Sequence, residues 1–223
     1  GTFSNANDEL FFMYNSSTKM AIDSSGNVGI GTTSPAATLD VNGTIKLDGN
    51  YPTGTSNVAL GAGAGAAIVS GGTRNVAIGS NAGAAITTGD YNVAVGYNAL
   101  TAEDTGSRST AIGYFALDSQ NNDAANHNTA VGFTALEQTT TGLYNTGIGS
   151  QALNANTTAS NNTAVGYNSL LANTGADGRN NTAVGTLSMD ANTSGKNNVA
   201  VGHDALGANT TADGNTAVGK DAL

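Results

Sequence analysis

The sequence predicts an all-β protein dominated by a parallel β-solenoid, and three observations carry this prediction. A pentapeptide of the type Asn-Thr-Ala-Val-Gly, as at Asn128–Gly132, occurs ten times in the 223 residues. Successive copies are 17 to 19 residues apart, which indicates one short unit stacked along an axis. Apolar residues within each copy alternate with the period of a strand. The last residues of the copies, which we expect to be structural, are Gly61, Gly79, Gly96, Gly113, Gly132, Gly149, Gly166, Gly185, Gly202 and Gly219.

Large apolar side chains are scarce, since Leu, Ile, Val and Phe together account for 40 of the 223 residues. So low a fraction is common in disordered chains, but those chains also carry high charge or low complexity. Here the net charge is only −9 and the apolar register is regular. We therefore predict a thin core that is repeated many times.

Residues 1–50 lack the repeat and predict a small, separate β-rich region. Turn residues such as Asn15–Ser17 and Ser24–Asn27 separate short apolar runs, a pattern typical of strands joined by tight turns. The predicted strands are Leu10–Tyr14, Met20–Ile22, Val28–Gly31, Thr38–Val41 and Thr44–Leu47. Pro52 and Gly54 are poor residues for a strand interior, so we place the boundary at Asn50–Gly54 and assign residues 51–223 to the ten-unit repeat domain.

Each unit of the repeat domain contains a strand, a second short run and a polar loop. Alternation places Thr129 and Val131 on one face of the strand and Ala130 and Gly132 on the other, and Leu136 in the second run supplies a further apolar anchor. We expect two strands, two turns and no helix in each coil. At about 4.8 Å per coil, ten coils would form a stack about 45 Å long.

The face that carries only Ala and Gly predicts how chains associate. Such a face lets another backbone approach closely, and a single narrow solenoid would leave it uncovered. We therefore expect several copies to pack through this face around a common axis. The period of the repeat does not set the number of copies.

Two stretches resemble known fibre proteins. Units of the Asn-Thr-Ala-Val-Gly-Tyr-Asn-Ala-Leu type, over residues 57–223, resemble the head repeats of trimeric autotransporter adhesins, the YadA-like left-handed parallel β-roll. Gly26–Pro35, followed by Leu39–Gly43, is similar to a segment of bacteriophage tail fibres and related surface fibres, where it often precedes an endosialidase-type intramolecular chaperone. The resemblance implies a homotrimer, and a chaperone that lies downstream or is removed after assembly. The longer, less uniform period of this chain implies larger loops than those of the adhesin heads.

The first position of the repeated strand is polar in every unit. A polar row could bind a ligand, but stacked Asn side chains also form hydrogen-bonded ladders, and Asn tolerates the turn that starts a coil. We favour the ladder. Ser109 occupies the position in one unit, and the other nine residues are Asn57, Asn75, Asn92, Asn128, Asn145, Asn162, Asn181, Asn198 and Asn215.

The position after the repeat glycine is aromatic in several units. Tyr97, Tyr114 and Phe133 fall in consecutive units, so we expect them to stack as a column, and Tyr167 has the same position two units later. An exposed aromatic strip can bind the apolar faces of sugar rings, and it can equally seal a gap between neighbouring chains. We favour packing and retain these four residues as candidate ligand-binding residues.

No catalytic residue, metal site or cofactor is predicted, and we expect a protein that is not an enzyme. His127 and His203 lack the spacing of metal ligands, so we expect them to face solvent. No nucleophile elbow, phosphate loop or dinucleotide fingerprint is present. Paired carboxylates cleave glycosidic bonds in some enzymes, but loops rich in Asn, Thr, Ser and Gly favour solvated loop tips. The acidic residues concerned are Glu103, Asp104, Asp118, Asp123 and Glu137.

Charge and hydropathy argue against two classes of partner. The seven Lys and Arg residues are scattered, which disfavours nucleic acid, and no run of about 20 apolar residues is available to insert into a membrane. The lack of Cys leaves the redox compartment open and is compatible with an extracellular fibre. A first residue other than Met, and an end that coincides with the end of a repeat, predict a piece of a longer polypeptide.

These observations favour an extracellular structural protein, namely the homotrimeric rod segment of a phage tail fibre in the virion, which mediates or supports attachment to the host surface. The expected partners are further copies of the chain and a host-surface glycan or protein receptor. One alternative is a bacterial trimeric surface adhesin or self-assembling extracellular filament at the cell surface. Others are a glycan-degrading tailspike and an ice-binding protein, the latter suggested by threonines in one register, such as Thr129 and Thr146.

Overall fold

A computed structural model describes residues 3–4, 9–42, 54–123 and 125–223. The chain divides into two compact units, Gly1–Asp48 and Gly49–Leu223. All regular secondary structure in the described residues is β, and no helix occurs among them. The predicted strand Thr44–Leu47 lies outside the described residues, as do Asn50–Thr53 of the predicted boundary.

The first unit is a five-stranded sheet whose strands are adjacent in chain order. A two-residue turn at Asn15 and Ser16, with φ of 49° and 60°, joins the second strand to the third, as a tight hairpin requires. Four of the predicted apolar runs are confirmed as strands, and the first strand was not predicted. The strands are β1 Phe3–Ser4, β2 Leu10–Tyr14, β3 Ser17–Ile22, β4 Val28–Ile30 and β5 Leu39–Val41.

The connection between β4 and β5 differs from the predicted tight turn. These two strands are parallel, with Val28 opposite Leu39 and Ile30 opposite Val41. The intervening loop carries the chain back so that β5 begins beside the start of β4. Within this region, the backbone N–H of Ala36 donates a hydrogen bond to Asp40 Oδ2 at 2.9 Å. A parallel pair cannot be joined by a tight turn, which explains why the tight turn predicted between these two strands is wrong.

The second unit is a parallel β-solenoid. Ten three-residue strands form one sheet in which each strand pairs with the equivalent strand of the next coil, for example Thr129 with Thr146 and Val131 with Ile148. The ten strands are joined by nine complete turns, which confirms the predicted fold class. The strands are β6 Val58–Leu60, β7 Val76–Ile78, β8 Val93–Val95, β9 Thr110–Ile112, β10 Thr129–Val131, β11 Thr146–Ile148, β12 Thr163–Val165, β13 Thr182–Val184, β14 Val199–Val201 and β15 Thr216–Val218.

The interior of the solenoid is lined by the central residue of each strand and by one large side chain from the run that follows. Ala130 and Leu136 are both fully buried, whereas Thr129 and Val131 are only partly buried, so the predicted alternation is confirmed. The Ala side chains therefore line the coil's own interior. The expectation that other copies cover the Ala and Gly face is wrong, because this chain's own Leu136 and its equivalents already fill the space.

The predicted second strand of each coil is also absent from the described units. In the run that follows Gly132, Thr134 and Leu136 have φ of 48° and 54°. Left-handed residues at alternate positions curl the chain into successive turns, so the run cannot extend as a strand. Each coil therefore contains one strand, and the buried Leu reaches the core from a turn.

The repeat glycines lie where one coil contacts the next. All ten have φ between +123° and +141°, a conformation that side chains rarely adopt. A Cβ on Gly132 would meet the backbone carbonyl of Gly149, 2.6 Å from its carbon. The close backbone approach predicted from these glycines therefore occurs between coils of one chain.

Candidate functional site

The predicted Asn row forms a buried ladder. The backbone N–H of Asn145 donates to Asn128 Oδ1 at 2.8 Å, and the N–H of Asn162 donates to Asn145 Oδ1 at 3.0 Å. Asn145 Nδ2 donates to the carbonyl of Ala159 at 2.8 Å. Because these amides are buried and their polar atoms are used inside the coil, the favoured interpretation is confirmed and the row presents no ligand site.

The ladder changes its chemistry at Ser109, whose side chain is too short to continue it. Gln120 fills the gap from the next loop, because its Nε2 donates to Ser109 Oγ at 2.7 Å and its Oε1 accepts from Asn128 Nδ2 at 2.7 Å. The same Nε2 is 2.8 Å from Glu103 Oε2. A serine in the repeat is therefore compensated by a longer amide in the same coil.

Glu103 is fully buried, so the expectation that it is a solvated loop tip is wrong. Its carboxylate accepts hydrogen bonds from the N–H of Gly106 at 2.8 Å, from Gln120 and from Asn126 Nδ2 at 2.7 Å. Burial raises the pKa of Glu103, and the hydrogen bonds from Gln120 and Gly106 oppose that shift. The residue stabilises the interior of a loop and is closed off from any substrate.

The remaining carboxylates stay nearer the surface. Burial also raises the pKa of Asp118, and the charge of Glu137 on the next coil adds to this shift. Glu137 Oε2 accepts a hydrogen bond from Asn154 at 2.9 Å, and Asp123 Oδ1 accepts one from Thr105 Oγ1 at 2.6 Å. Their main visible role is to bridge successive loops.

Three of the four predicted aromatic residues come together in a column. The ring centroids of Tyr97 and Tyr114 are 5.3 Å apart with planes at 17°, and those of Tyr114 and Phe133 are 5.3 Å apart at 8°. Tyr167 is separated from Phe133 by the coil that carries Ser150, so it does not join them. Phe115, which sequence analysis missed, packs 4.6 Å from Tyr114 at 59°.

This stacking determines what the column can bind. Both faces of the Tyr114 ring are covered by Tyr97 and Phe133, so the ring exposes its edge and hydroxyl. Sugar rings bind aromatic residues through the ring face, and only the outer faces at the two ends of the column remain for that purpose. The geometry therefore favours packing over glycan binding at these residues.

A second exposed row, which sequence analysis did not find, lies at the position just before the ladder Asn. The guanidinium carbon of Arg74 is 5.3 Å from the centroid of Tyr91, and that of Arg108 is 5.7 Å from the same ring. Two coils further on, the rings of His127 and Tyr144 stack at 5.3 Å and 10°. We call Arg74, Tyr91, Arg108, His127 and Tyr144 the cation–aromatic strip. Aligning the units on the residue before the repeated Asn would have revealed it.

Both histidines are exposed, as predicted. His203 Nδ1 lies 3.7 Å from Asp221 Oδ1, and Lys220 Nζ is 2.7 Å from Asp221 Oδ2. His203 and Asp221, together with Asp204, form the one group of three possible metal ligands among the described residues. The lysine already neutralises the carboxylate at this exposed end of the sheet.

Comparison of the chain with models of protein families, with curated proteins and with solved structures gives no match. The class that the structure itself defines is the parallel β-solenoid. Within the part of the chain that the structure describes, no helix has the length and apolar character needed to span a membrane.

Proposed function

We propose that the solenoid is the rod segment of a homotrimeric fibre, most like a phage tail fibre, which supports or mediates attachment to a host surface. The observation that carries this proposal is the outward face of the ten-stranded sheet. In every strand, the residues on either side of the central one are Val, Ile, Leu or Thr, and none is charged.

The third residue of every strand is Val, Ile or Leu, and in-register pairing of the strands aligns these residues into an unbroken aliphatic row on the outward face. Ile112 is paired with Val131, which is paired with Ile148; in the single chain Ile112 and Ile148 are exposed and Val131 is partly buried. Soluble monomers rarely expose a contiguous apolar patch this long, and symmetric self-association is the common way to cover one. Three copies that pack this face around a common axis would bury it along the length of the sheet. The row comprises Leu60, Ile78, Val95, Ile112, Val131, Ile148, Val165, Val184, Val201 and Val218.

Assignment to a tail fibre draws support from the first unit. The segment Gly26–Pro35 that resembles tail-fibre sequences contains β4 and the start of the loop to β5. A rod of stacked, interchangeable coils provides reach and rigidity and needs no catalytic centre. This matches the use that a fibre makes of such a segment.

Light scattering on the purified chain tests the proposal, and we expect about three times the chain mass of 21.9 kDa. The double variant Ile112→Lys with Ile148→Lys places charges in the outward row and should give a folded monomer. The control Thr158→Lys adds a lysine to an exposed loop and should remain trimeric. A wild-type chain with β-type circular dichroism and the mass of one chain would overturn the proposal.

A further inference from the structure

The cation–aromatic strip contains two arginines that form no ion pair with any described carboxylate. The ion pairs of the described residues involve Arg179, Lys196, His203 and Lys220. The guanidinium of Arg74 makes one long hydrogen bond to the described residues, in which Nη1 donates to Thr73 Oγ1 at 3.3 Å. The nearby Asp90 uses Oδ1 to accept from the N–H of Thr73 at 2.7 Å and from Thr73 Oγ1 at 2.8 Å.

Tyr91 holds these two arginines in place. The guanidinium carbons of Arg74 and Arg108, which come from the preceding and following coils, lie 5.3 and 5.7 Å from the ring centroid. A cation over an aromatic ring is attracted to it, and the contact restricts a side chain that is otherwise free to rotate. Much of the entropy of ordering the guanidinium groups is therefore lost on folding, before any ligand arrives.

The free donors of these arginines suit an anionic ligand. A planar guanidinium matches a carboxylate or sulfate group with two parallel hydrogen bonds. A chain with a net charge of −9 that leaves two exposed arginines unpaired by any described carboxylate, on the coils that flank Tyr91, offers a local site for negative charge.

The spacing of the two arginines indicates what kind of anion fits. They lie two coils apart, which corresponds to about 10 Å along the solenoid axis. Double-stranded DNA carries one charge per about 1.7 Å, and its dense charge would be repelled by the acidic remainder of the chain. A polymer whose charges are sparse and regularly spaced matches the strip better. Its uncharged portions would then pass the exposed edge of Tyr91, whose ring lies between the two guanidinium groups, and contact the outer faces of the stacked His127–Tyr144 pair.

We infer that the cation–aromatic strip binds an acidic polysaccharide that lies along the solenoid axis, with its acidic groups on Arg74 and Arg108. This inference rests on the proposed function, because it names the class of surface ligand that the rod would contact. The inference assigns ligand binding to the strip and not to the Tyr97–Tyr114–Phe133 column, because that column contains no cationic side chain.

Binding of the full chain to immobilised polygalacturonate, hyaluronate and neutral dextran tests the inference. We expect salt-sensitive binding to at least one of the two acidic polymers and none to dextran. The double variant Arg74→Gln with Arg108→Gln should weaken binding by about tenfold or more. Arg179→Gln is the matched control, because Arg179 is exposed and paired with Asp177 at 3.3 Å, and it should change binding by less than about twofold.

Three results would overturn the inference: no binding to either acidic polymer, an equal loss in Arg179→Gln, or tighter binding to an oligodeoxynucleotide than to both polymers. Circular dichroism of each variant shows whether a loss arises from unfolding, and Tyr91→Leu, which keeps both charges, should weaken binding more than Arg179→Gln does. Light scattering on the same samples separates the two proposals. A trimer without binding overturns only the ligand site, and a monomer with strip-dependent binding overturns only the trimeric rod.

Discussion

At the scale of single residues, the solenoid depends on left-handed backbone at positions that are not glycine. The second and fourth residues after the repeat glycine have positive φ in successive coils, for example Asn98 and Leu100, and Asn168 and Leu170. Asn tolerates this conformation, whereas a β-branched residue is disfavoured there. Thr134 is the β-branched exception, with φ of 48° and a buried Oγ1 that has no hydrogen-bond partner.

Replacing Thr134 by Asn should therefore stabilise the chain. The change relieves backbone strain at a position where Asn81, Asn98 and Asn168 stand in other coils, and where Asn81 Nδ2 donates to Asn98 Oδ1 at 3.2 Å. We expect a gain of roughly 0.5–1 kcal/mol, or a few degrees in thermal midpoint. The reciprocal variant Asn168→Thr should lose a similar amount. Calorimetry on both variants checks the pair, and an unchanged midpoint in both would show that φ at this position carries no cost.

Glu103 shows how one buried carboxylate links stability to pH. Burial raises its pKa in the folded state, so the folded chain retains the proton to higher pH than the unfolded chain does. Such a group contributes stability that is fully present below its unfolded pKa and is lost as pH rises through its folded pKa. The pH dependence of stability that Glu103 contributes is opposite in sign to that of Asp23, whose pKa is lowered by the backbone hydrogen bond from Asn27.

The variant Glu103→Gln, which does not titrate, should lose stability less steeply than the wild type as pH rises. Urea unfolding at several values between about pH 4 and about pH 7 measures the two slopes. Asp177→Asn, which removes one exposed carboxylate, serves as the control for the loss of a negative charge. A Glu103→Gln slope equal to that of the wild type would mean that the carboxylate does not couple to folding in this range.

At the scale of elements, each coil closes through polar ladders and a few apolar contacts. In seven coils a buried Leu or Met fills the interior, but in the first two complete coils Gly65 and Gly83 occupy its position. In these two coils the buried side chains of Ile68 and Ile86 fill the interior instead. Ile86 lies so close to Gly83 that a Cβ on this glycine would be 2.8 Å from Ile86 Cδ1. The corresponding position of later coils is then free for polar residues, and Asn156, for example, accepts from Asn173 Nδ2 at 2.8 Å.

Removing one amide of the ladder should destabilise the whole stack. Asn145→Ala leaves the buried N–H of Asn162 without its side-chain partner, and it leaves the carbonyl of Ala159 with only the hydrogen bond from Asn156 Nδ2 at 3.1 Å. We expect a loss of roughly 2–4 kcal/mol in unfolding free energy. Asn121→Ala, at an exposed loop position, should change it by less than about 0.5 kcal/mol. Equal effects of the two variants in denaturant titrations would contradict a structural role for the ladder.

At the scale of the whole solenoid, successive coils are nearly equivalent units whose contacts are with their neighbours. The backbone N–H of Gly149 donates to the carbonyl of Val131 on the preceding coil, and the N–H of Gly166 donates to Ile148 in the same way. Stability in such an architecture is close to a sum over units and the interfaces between them.

Deletion of Asn145–Asn161 should therefore shorten the solenoid by about 4.8 Å and leave it folded. Asn162 would take the place of Asn145 above Asn128, and Tyr167 would stack next to Phe133. A structure of the deletion variant checks the length and the new ring contact, and circular dichroism checks the fold. An unfolded or aggregated product would show that this coil is not interchangeable with its neighbours.

Sequence periodicity by itself determined the stacked coils, the alternation along each strand, the buried Leu of the second run and the Asn ladder. These features repeat in register, so each follows from spacing and residue type. Periodicity did not determine which face of the strand lies inside the coil. Thr129 and Val131, like Ala130 and Gly132, can line either a core or an interface, because both faces are small and uncharged.

Only the tertiary structure decided which face lies inside, and the reason is the narrowness of the coil. Leu136 fills the interior so completely that a Cβ on Gly147 would lie 3.1 Å from its Cδ1, so only Ala or Gly fits at the strand centre. Burial of Glu103 and the meeting of Arg74, Tyr91 and Arg108 likewise depend on how neighbouring loops align across coils. Residues 14 to 23 positions apart are brought together by that alignment, which no single unit of the sequence specifies.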